Sequence, residues 1–240
     1  MTPFALTADI HGNAWALRAV LEDIDRRGVE VIYDLGDSLC GPLAPAETAD
    51  LLIERGIPSI RGNDDSALLE TERAKLTASA RFTIPRLSPR HLEWIRALPR
   101  TRRIVDVLLC HATPHSELDY LLEHVQPGVV ELREPASIRA LLGVVDARLI
   151  ACGHTHVPRL ATIDEHVTIV NPGSVGLPAY EAELPYPHAM QAGSPHARYA
   201  IIAGSHIEHV AVDYDHESAA ASAARNSRPD WARWLRTGRG

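Results

Sequence analysis

The chain has 240 residues, of which 45% are hydrophobic, and it carries a formal net charge of −7 at pH 7. This size and apolar content predict one folded domain over residues 1–240 and exclude a disordered protein. The negative charge argues against general nucleic-acid binding, because phosphate backbones are held mainly by lysine and arginine. A small phosphorylated substrate stays compatible with it, since bound divalent ions reverse the charge locally.

Cysteine usage and the lack of targeting segments indicate the compartment. Cys40, Cys110 and Cys152 are an odd number without a CxxC pair, which predicts free thiols in a reducing environment. No stretch resembles a secretory signal, and no apolar run approaches the ~20 residues that span a bilayer. We therefore expect a cytoplasmic protein without membrane contact.

The first third of the chain alternates between strand and helix patterns. Residues 4–8 predict a strand, and apolar residues at helical spacing follow between Asn13, a helix-capping residue, and Gly28. Residues 29–35 predict a buried strand, residues 45–56 a helix and residues 59–60 a short third strand. This βαβαβ order predicts parallel strands whose carboxyl ends face one crevice.

The remaining two thirds predict one helical segment, a series of strands and a helical tail. Residues 66–103 read as helical and charged, and residues 218–240 as one or two helices. A proline-rich segment at 171–198 predicts a long ordered loop. The predicted strands are Ile104–Cys110, Ala147–Cys152, Val167–Val170, Tyr199–Ala203 and Ile207–Val212.

Polar residues follow several of these strands where the apolar run ends. They form the motifs Asp9-Ile10-His11, Gly36-Asp37, Gly62-Asn63-Asp64-Asp65, a lone His111, and Gly153-His154-Thr155-His156. Each motif alone is typical of a turn, but their joint occurrence predicts one shared site. Carboxylate, amide and imidazole groups together suit Mn, Fe, Zn, Co or Ni. Seven such groups exceed one four-coordinate ion and match two ions that share a bridging ligand.

In this order, the motifs D-x-H, G-D, G-N-x-D, H and G-H-x-H resemble the calcineurin-like metallophosphoesterase superfamily. Asp9–Asn13, Leu35–Asp37 and Asn171–Gly176 resemble its small bacterial and archaeal phosphodiesterase branch, and the similarity covers roughly residues 4–212. The resemblance implies an α/β fold, a four-layer α/β/β/α sandwich with two packed mixed β-sheets. It places a two-metal site at one edge of the sandwich.

The resemblance also implies a division of the ligands. Asp9, His11 and His156 would hold the first ion, Asn63, His111 and His154 the second, and Asp37 would bridge both. The activity that it implies is hydrolysis of phosphodiesters or phosphoanhydrides by a metal-bridging hydroxide.

Further candidates concern the substrate and the leaving group. Asn13 and Arg159 are candidates for phosphate contacts, although a helix cap and a surface charge explain them equally well. Family members that act well on monoesters carry a histidine at the position of Asp64, so a phosphodiesterase is favoured over a monoesterase. We expect Asp64 to be ionised beside two cations, and His115 is the candidate that would supply the missing proton.

Two other functions share parts of this pattern. A phosphoprotein phosphatase would use the same ligands, and a non-catalytic scaffold would resemble the metallophosphoesterase-like subunit of the retromer coat. The expected partner is a small phosphorylated substrate, with nucleotides among the candidates; the oligomeric state stays open. We further expect the 171–198 segment to lie beside the metal crevice, where Tyr180, Glu181, Tyr186 and His188 would contact the non-phosphate part of a substrate. His188 and His196 are interpreted as ordinary loop residues and not as metal ligands.

Overall fold

The structure, a computed structural model, describes residues 2–164 and 167–240. Its strands and α-helices in these ranges are, in chain order, β1 (Phe4–Thr7), α1 (Ala14–Arg26), β2 (Val31–Asp34), α2 (Pro45–Glu54), α3 (Asn63–Glu70), α4 (Ala78–Thr83), α5 (Pro89–Ala97), β3 (Thr101–Ile104), β4 (Val107–Cys110), β5 (Glu123–Gln126), β6 (Val129–Leu132), α6 (Pro135–Leu142), β7 (Leu149–Ala151), β8 (Arg159–Asp164), β9 (Val167–Asn171), β10 (Ala179–Ala182), β11 (His188–Gln191), β12 (Ala197–Ala203), β13 (His206–Val212), α7 (His216–Arg225) and α8 (Pro229–Thr237).

Two mixed sheets form the centre of the fold. One has the order β13-β12-β1-β2, in which only β1 and β2 are parallel. The other has the order β3-β4-β7-β9-β8, in which β4, β7 and β9 are parallel and the two edge strands are antiparallel. Two separate hairpins, β5-β6 and β10-β11, complete the strands of the described residues.

Alternation along the strands explains why the sheets stack between helices. On β1, Phe4 and Leu6 enter a buried cluster with Leu109 and Val170 of the other sheet, while Ala5 joins the cluster on the opposite face. That opposite face packs against α1 and α2, and the outer face of the second sheet packs against α6. The result is the expected α/β/β/α arrangement with two mixed sheets.

Several predicted boundaries need correction. Residues 101–104 form β3 and not the end of a helix, because β3 and β4 make a hairpin whose turn is at Val105 and Asp106. The predicted third strand is reduced to one parallel bridge between Asp34 and Ser59. The 171–198 segment contains the β10-β11 hairpin and begins β12, so it is not a structureless loop.

The C-terminal end of the chain forms two helices that pack against each other. The C-terminal helices begin at His216 and bury Trp231 and Trp234 against the small residues of α7.

No helix among residues 2–164 and 167–240 is long and apolar enough to cross a membrane. All three cysteines are buried and free.

Candidate metal centre

The predicted ligands converge on the edge where the parallel strands end. Asp9 and His11 follow β1, Asp37 follows β2, His111 follows β4, and the two remaining histidines follow β7. Their donor atoms form two groups in which all atoms lie within 4.8 Å of one another: Asp9 with His11 and His156, and Asp37 with His111 and His154. Asp37 also belongs to a third group with His11 and Asp64, so it reaches both sides of the centre.

Four histidines share one hydrogen-bonding arrangement. In each, one ring nitrogen lies against a backbone carbonyl: Nδ1 of His11 on Cys40 (2.9 Å), Nδ1 of His111 on Leu35 (2.8 Å), Nδ1 of His156 on Leu177 (2.6 Å), and Nε2 of His154 on Leu118 (3.0 Å). Because a carbonyl oxygen only accepts, each of these nitrogens carries the proton. The second nitrogen of each neutral ring therefore presents a lone pair, as metal-binding histidines do.

These free lone pairs point toward one another and toward carboxylates. Nε2 of His11 lies 3.1 Å from Nε2 of His156, which in turn lies 3.5 Å from Asp9 Oδ1. Nε2 of His111 lies 3.3 Å from Asp37 Oδ2. Acceptors that face each other at these distances repel unless a proton or a cation lies between them, so the donor set fits divalent metal ions.

The amide of Asn63 completes the second group. Its nearer end lies 3.0 Å from His111 Nε2 and 2.9 Å from His154 Nδ1. With the amide oxygen at this end, the residue offers a donor atom to a metal ion. With the amide turned over, its NH₂ donates to both rings. The position suits the predicted role of Asn63 in the second half of the centre.

In the protein without bound ions, three of the four rings are held in the neutral form and His111 is held in the charged form. Burial lowers the pKa of His11 and His156, and that of His154 to about 4, so these rings stay in the neutral form that binds metals. Burial also opposes charging of His111, yet the adjacent Asp37 carboxylate raises its pKa to about 10. Burial acts upward on Asp37 as well, but His111 keeps the pKa of that carboxyl well below its usual range.

Backbone geometry marks the same residues. Five of the ligands have positive φ without being glycine: Asp9 (54°), His11 (50°), Asp37 (54°), His154 (71°) and His156 (61°). This left-handed conformation costs about 1–2 kcal/mol for an L-residue. Such strain persists where the surrounding contacts impose it, and it clusters at functional sites.

The loops that carry the ligands are tied together by buried polar contacts. The Asp65 carboxylate accepts hydrogen bonds from the backbone N–H groups of Asp37 (2.8 Å), Ser38 (3.1 Å) and Gly62 (3.2 Å). A Cβ at Gly62 would overlap the Asp37 carboxylate, so only glycine fits there. Sequence reasoning gave Asp65 no role. Asp65 is the third residue of α3, which begins directly after Gly62. An acidic residue at this position typically accepts a hydrogen bond from the backbone N–H at the helix start.

The turn at 171–176 supports the centre from the other side. Asn171 Nδ2 donates to the Gly153 carbonyl (2.8 Å) and to the Thr155 hydroxyl (3.1 Å). Ser174 Oγ donates to the Asp9 carbonyl (2.7 Å). These two residues hold the loops of the first and last motifs, a role that sequence reasoning did not assign to them.

The two residues that were candidates for phosphate contacts have partners within the protein. Asn13 is fully buried: its Oδ1 caps α1 at the Ala16 N–H, and its Nδ2 donates to the Gly176 carbonyl. Arg159 donates to the buried carboxylate of Glu123 at 3.2 Å. These contacts support the alternative roles of a helix cap for Asn13 and an ion pair for Arg159.

The predicted acid His115 is also not brought to the centre. It is exposed, and its Nε2 lies 3.1 Å from the Leu142 carbonyl at the end of α6. Asp64, by contrast, lies at the centre: its backbone N–H donates to Asp37 Oδ1 (2.8 Å), and its carboxylate is 3.7 Å from His11 Nδ1. Burial and the charges of Asp37 and Asp65 raise the pKa of Asp64 to about 8, so the expected ionised form depends on bound cations.

The 171–198 segment lies beside the centre, as expected. The Tyr180 ring is 4.7 Å from the His156 ring, and the Tyr180 hydroxyl lies 3.2 Å from the His154 carbonyl. Glu181, however, pairs with Arg233 of α8, and Tyr186 is 46% exposed.

Comparison with known proteins identifies a family whose members resemble this chain. Residues 3–188 match the calcineurin-like phosphoesterase superfamily domain. An uncharacterised protein of Methanocaldococcus jannaschii is 27% identical over 252 residues, which cover 95% of this chain and 94% of the relative. A metallophosphoesterase from Sphaerobacter thermophilus has a similar structure, with a TM-score of 0.75, 24% identity, and coverage of 97% and 98% of the two chains. A hypothetical protein of Pyrococcus horikoshii gives a TM-score of 0.77 with 19% identity and 99% coverage of both chains.

Proposed function

We propose that this chain, which belongs to the calcineurin-like phosphoesterase superfamily, is a two-metal-dependent hydrolase of phosphodiesters or phosphoanhydrides. The observation that carries the proposal concerns four histidines. In each of them, one ring nitrogen donates a hydrogen bond to a backbone carbonyl. The other ring nitrogen of each histidine lies close to the side chains of Asp9, Asp37 or Asn63. Lone pairs brought this close repel one another unless a proton or a cation lies between them, so their convergence favours cation binding.

In this proposal the ligands divide as the family resemblance implies. Asp9, His11 and His156 hold one ion, Asn63, His111 and His154 hold the other, and Asp37 serves both. Two bound divalent ions supply Lewis-acid activation of water and neutralise charge on the phosphoryl oxygens. The protein itself contributes pre-organisation, because the carbonyl contacts orient each ring and a left-handed backbone holds five of the seven ligands before any substrate arrives.

The preference for diesters rests on position 64. A histidine there would carry a proton toward a leaving group, whereas Asp64 is a carboxyl group held at the Asp37 side of the centre. General-acid help typically contributes ~10²–10⁴-fold, and substrates with good leaving groups need it least. We therefore expect activated diesters and phosphoanhydrides to be hydrolysed faster than alkyl monoesters.

The test is a substrate panel with the wild-type protein. Purified protein is stripped of metal, reloaded with Mn, Fe, Zn, Co or Ni, and assayed on bis-p-nitrophenyl phosphate, nucleotides, cyclic nucleotides, dinucleoside polyphosphates and phosphopeptides. We expect metal-dependent hydrolysis of the diester or anhydride substrates. Protein that binds two ions and hydrolyses nothing would instead be a scaffold, and a preference for phosphopeptides would make it a phosphoprotein phosphatase.

A further inference from the structure

The two C-terminal helices lie against the half of the candidate centre that contains Asp9, His11 and His156. The Trp231 ring of α8 and the His11 ring form a T-shaped pair, with 6.0 Å between their centroids and an angle of 84°. Both helices lie outside residues 3–188, the part of the chain that matches the family domain. The family match therefore assigns no role to this contact.

The space between Trp231 and the His11 loop holds a glycine backbone and no side chain. A Cβ at Gly41 would overlap the His11 carbonyl group and come within 2.9 Å of the Trp231 ring. Gly41 directly follows Cys40, whose carbonyl oxygen accepts the hydrogen bond from His11 Nδ1 (2.9 Å). The indole ring therefore packs against the segment that supplies the carbonyl for His11.

The next two residues of that segment are also held by the C-terminal helices. Asn226, at the end of α7, donates from Nδ2 to the Pro42 carbonyl (2.8 Å). Leu43 is buried and packs in the same apolar cluster as Trp231. Three successive residues, 41–43, thus contact the helix pair, and displacement of the helices would release all of them.

The same cluster reaches the carbonyl that orients His156. Leu177 is buried in the cluster with Trp231, and its carbonyl oxygen accepts the hydrogen bond from His156 Nδ1 (2.6 Å). The ion pair between Arg233 and Glu181 (2.8 Å) ties α8 to β10, the strand that begins two residues after Leu177. One helix pair therefore supports both backbone carbonyls that orient the histidines of this half.

The carbonyls of the other half have different surroundings. Leu35, whose carbonyl orients His111, packs in the cluster between the two sheets. Leu118, whose carbonyl orients His154, has an exposed side chain. Both residues lie apart from the cluster of Trp231, so a change in that cluster should leave these two histidines in place.

We infer that the C-terminal helix pair fixes the first metal site, with Trp231 as the positioning residue. This inference rests on the two-metal centre of the proposed function. With Trp231 in place, the two supported carbonyls keep His11 and His156 in the orientation that receives an ion. These rings and Asp9 then release their ion more slowly than the other half does. Contacts that orient a ligating histidine typically contribute ~10–100-fold to metal affinity.

Ion release to a chelator tests this inference without an assay of hydrolysis. The full-length protein is loaded with cobalt(II), mixed with excess EDTA and followed by the visible absorption of bound cobalt. We expect a fast and a slow phase in the wild type. In Trp231→Ala the slow phase should accelerate by ~10–100-fold and its spectrum should change, while the fast phase stays the same. Trp231→Phe keeps an aromatic ring against Gly41 and should restore most of the slow release.

Trp94→Ala is the matched control for the loss of a packed indole ring. Trp94 of α5 packs against the apolar cluster around α1 and α2. Its loss should lower the melting temperature and leave both release phases unchanged. If Trp231→Ala lowers the melting temperature and leaves the slow phase unchanged, or accelerates both phases equally, Trp231 has a structural role alone and the inference is overturned.

Asn226→Ala decides the question if Trp231→Ala does not fold. It removes the hydrogen bond to Pro42 and keeps the apolar cluster, so we expect a faster slow phase; an unchanged one overturns the inference. A wild type that binds fewer than two ions overturns the proposed centre and the inference with it. Two bound ions without hydrolysis of any phosphate ester overturn the proposed function alone, because the release rates do not depend on turnover.

Discussion

The ligand set divides into two halves that differ in how far solvent reaches them. Asp9, His11 and His156 are at most 4% exposed, and the edge of the Trp231 ring from α8 covers His11. In the other half only His111 is buried to this degree, whereas Asn63 and His154 are half-buried. The carbonyl that holds His154 belongs to Leu118, whose side chain is 69% exposed.

This difference assigns different tasks to the two halves. A ligand set that is closed to water and fixed by carbonyls holds its ion in one geometry and exchanges it slowly. A half that opens to solvent lets substrate and water exchange, and the half-buried ring of Tyr120 lies on that side. Asp37 belongs to both, since its carboxylate lies against His111 and in reach of His11. Variants of single ligands should therefore produce different results in the two halves.

The largest effect is expected at the shared ligand. Asp37→Ala should lose both ions and lower hydrolysis by more than the ~10–100-fold that loss of a supporting contact typically costs. The control is Asp146→Ala, an exposed carboxylate remote from the centre that pairs with Arg103. Metal analysis together with the diester assay measures the result. Two ions per chain and full activity in Asp37→Ala would contradict a shared carboxylate.

The two halves are compared most directly by one pair of histidine variants. His156→Ala opens the buried half, so we expect loss of the tightly held ion and a lower melting temperature. His154→Ala affects the solvent-facing half, so we expect loss of the weaker ion with a smaller change in melting temperature. Calorimetric metal titration and thermal unfolding measure both. If His154→Ala instead removes the tighter ion, the assignment of tasks is reversed.

Metal removal should change how stability depends on pH. In the stripped protein Asp37 raises the pKa of His111 to about 10, above the ~6.5 of an unfolded histidine. The pair therefore stabilises the fold fully below about pH 6.5, and this stability is lost as pH rises toward about 10. Bound ions need neutral imidazole, so the loaded protein should not show this loss. Melting curves across this range, with and without metal, test the difference; equal pH dependence would contradict it.

The smallest effect on catalysis is expected at Arg159, outside both halves. Arg159→Ala removes an ion pair from the fully buried Glu123 carboxylate and should lower stability by about 1–3 kcal/mol. KM should change little, because Arg159 is engaged by Glu123 and not by a substrate. Denaturant unfolding and steady-state kinetics separate the two. A large rise in KM without loss of stability would restore Arg159 as a phosphate-binding residue.

The sequence was sufficient for the α/β/β/α architecture and for a set of candidate ligands that the fold brings together, because both depend on local patterns. Asp9 and His11, or His154 and His156, are close in the chain, and each motif follows an apolar run that predicts a strand. The sequence gives no sign of the backbone carbonyls that hold the four histidines, because every residue type has such a carbonyl. These carbonyls belong to Cys40, Leu35, Leu177 and Leu118. The positive φ of the ligands is equally invisible in the residue types.

The interpretations of His115 and His188 went wrong because residues that are close in the chain need not be close in the folded protein. His115 seemed relevant because it lies four residues after His111, yet its ring turns to α6. His188 was interpreted as an ordinary loop residue, yet it begins β11 and its Nε2 lies 3.1 Å from the Tyr120 hydroxyl. Only the pairing of β10 with β11 reveals that connection, and the turn residues between them conceal it in the sequence.

Anomalous diffraction from crystals loaded with manganese tests the central claim most directly. The account predicts two ions per chain, one contacted by Asp9, His11 and His156, the other by Asn63, His111 and His154, with Asp37 contacting both. The Nδ1 atom of His154 and the Nε2 atoms of the other three histidines should face the ions. A single ion, or two ions of which only one contacts Asp37, would contradict the account.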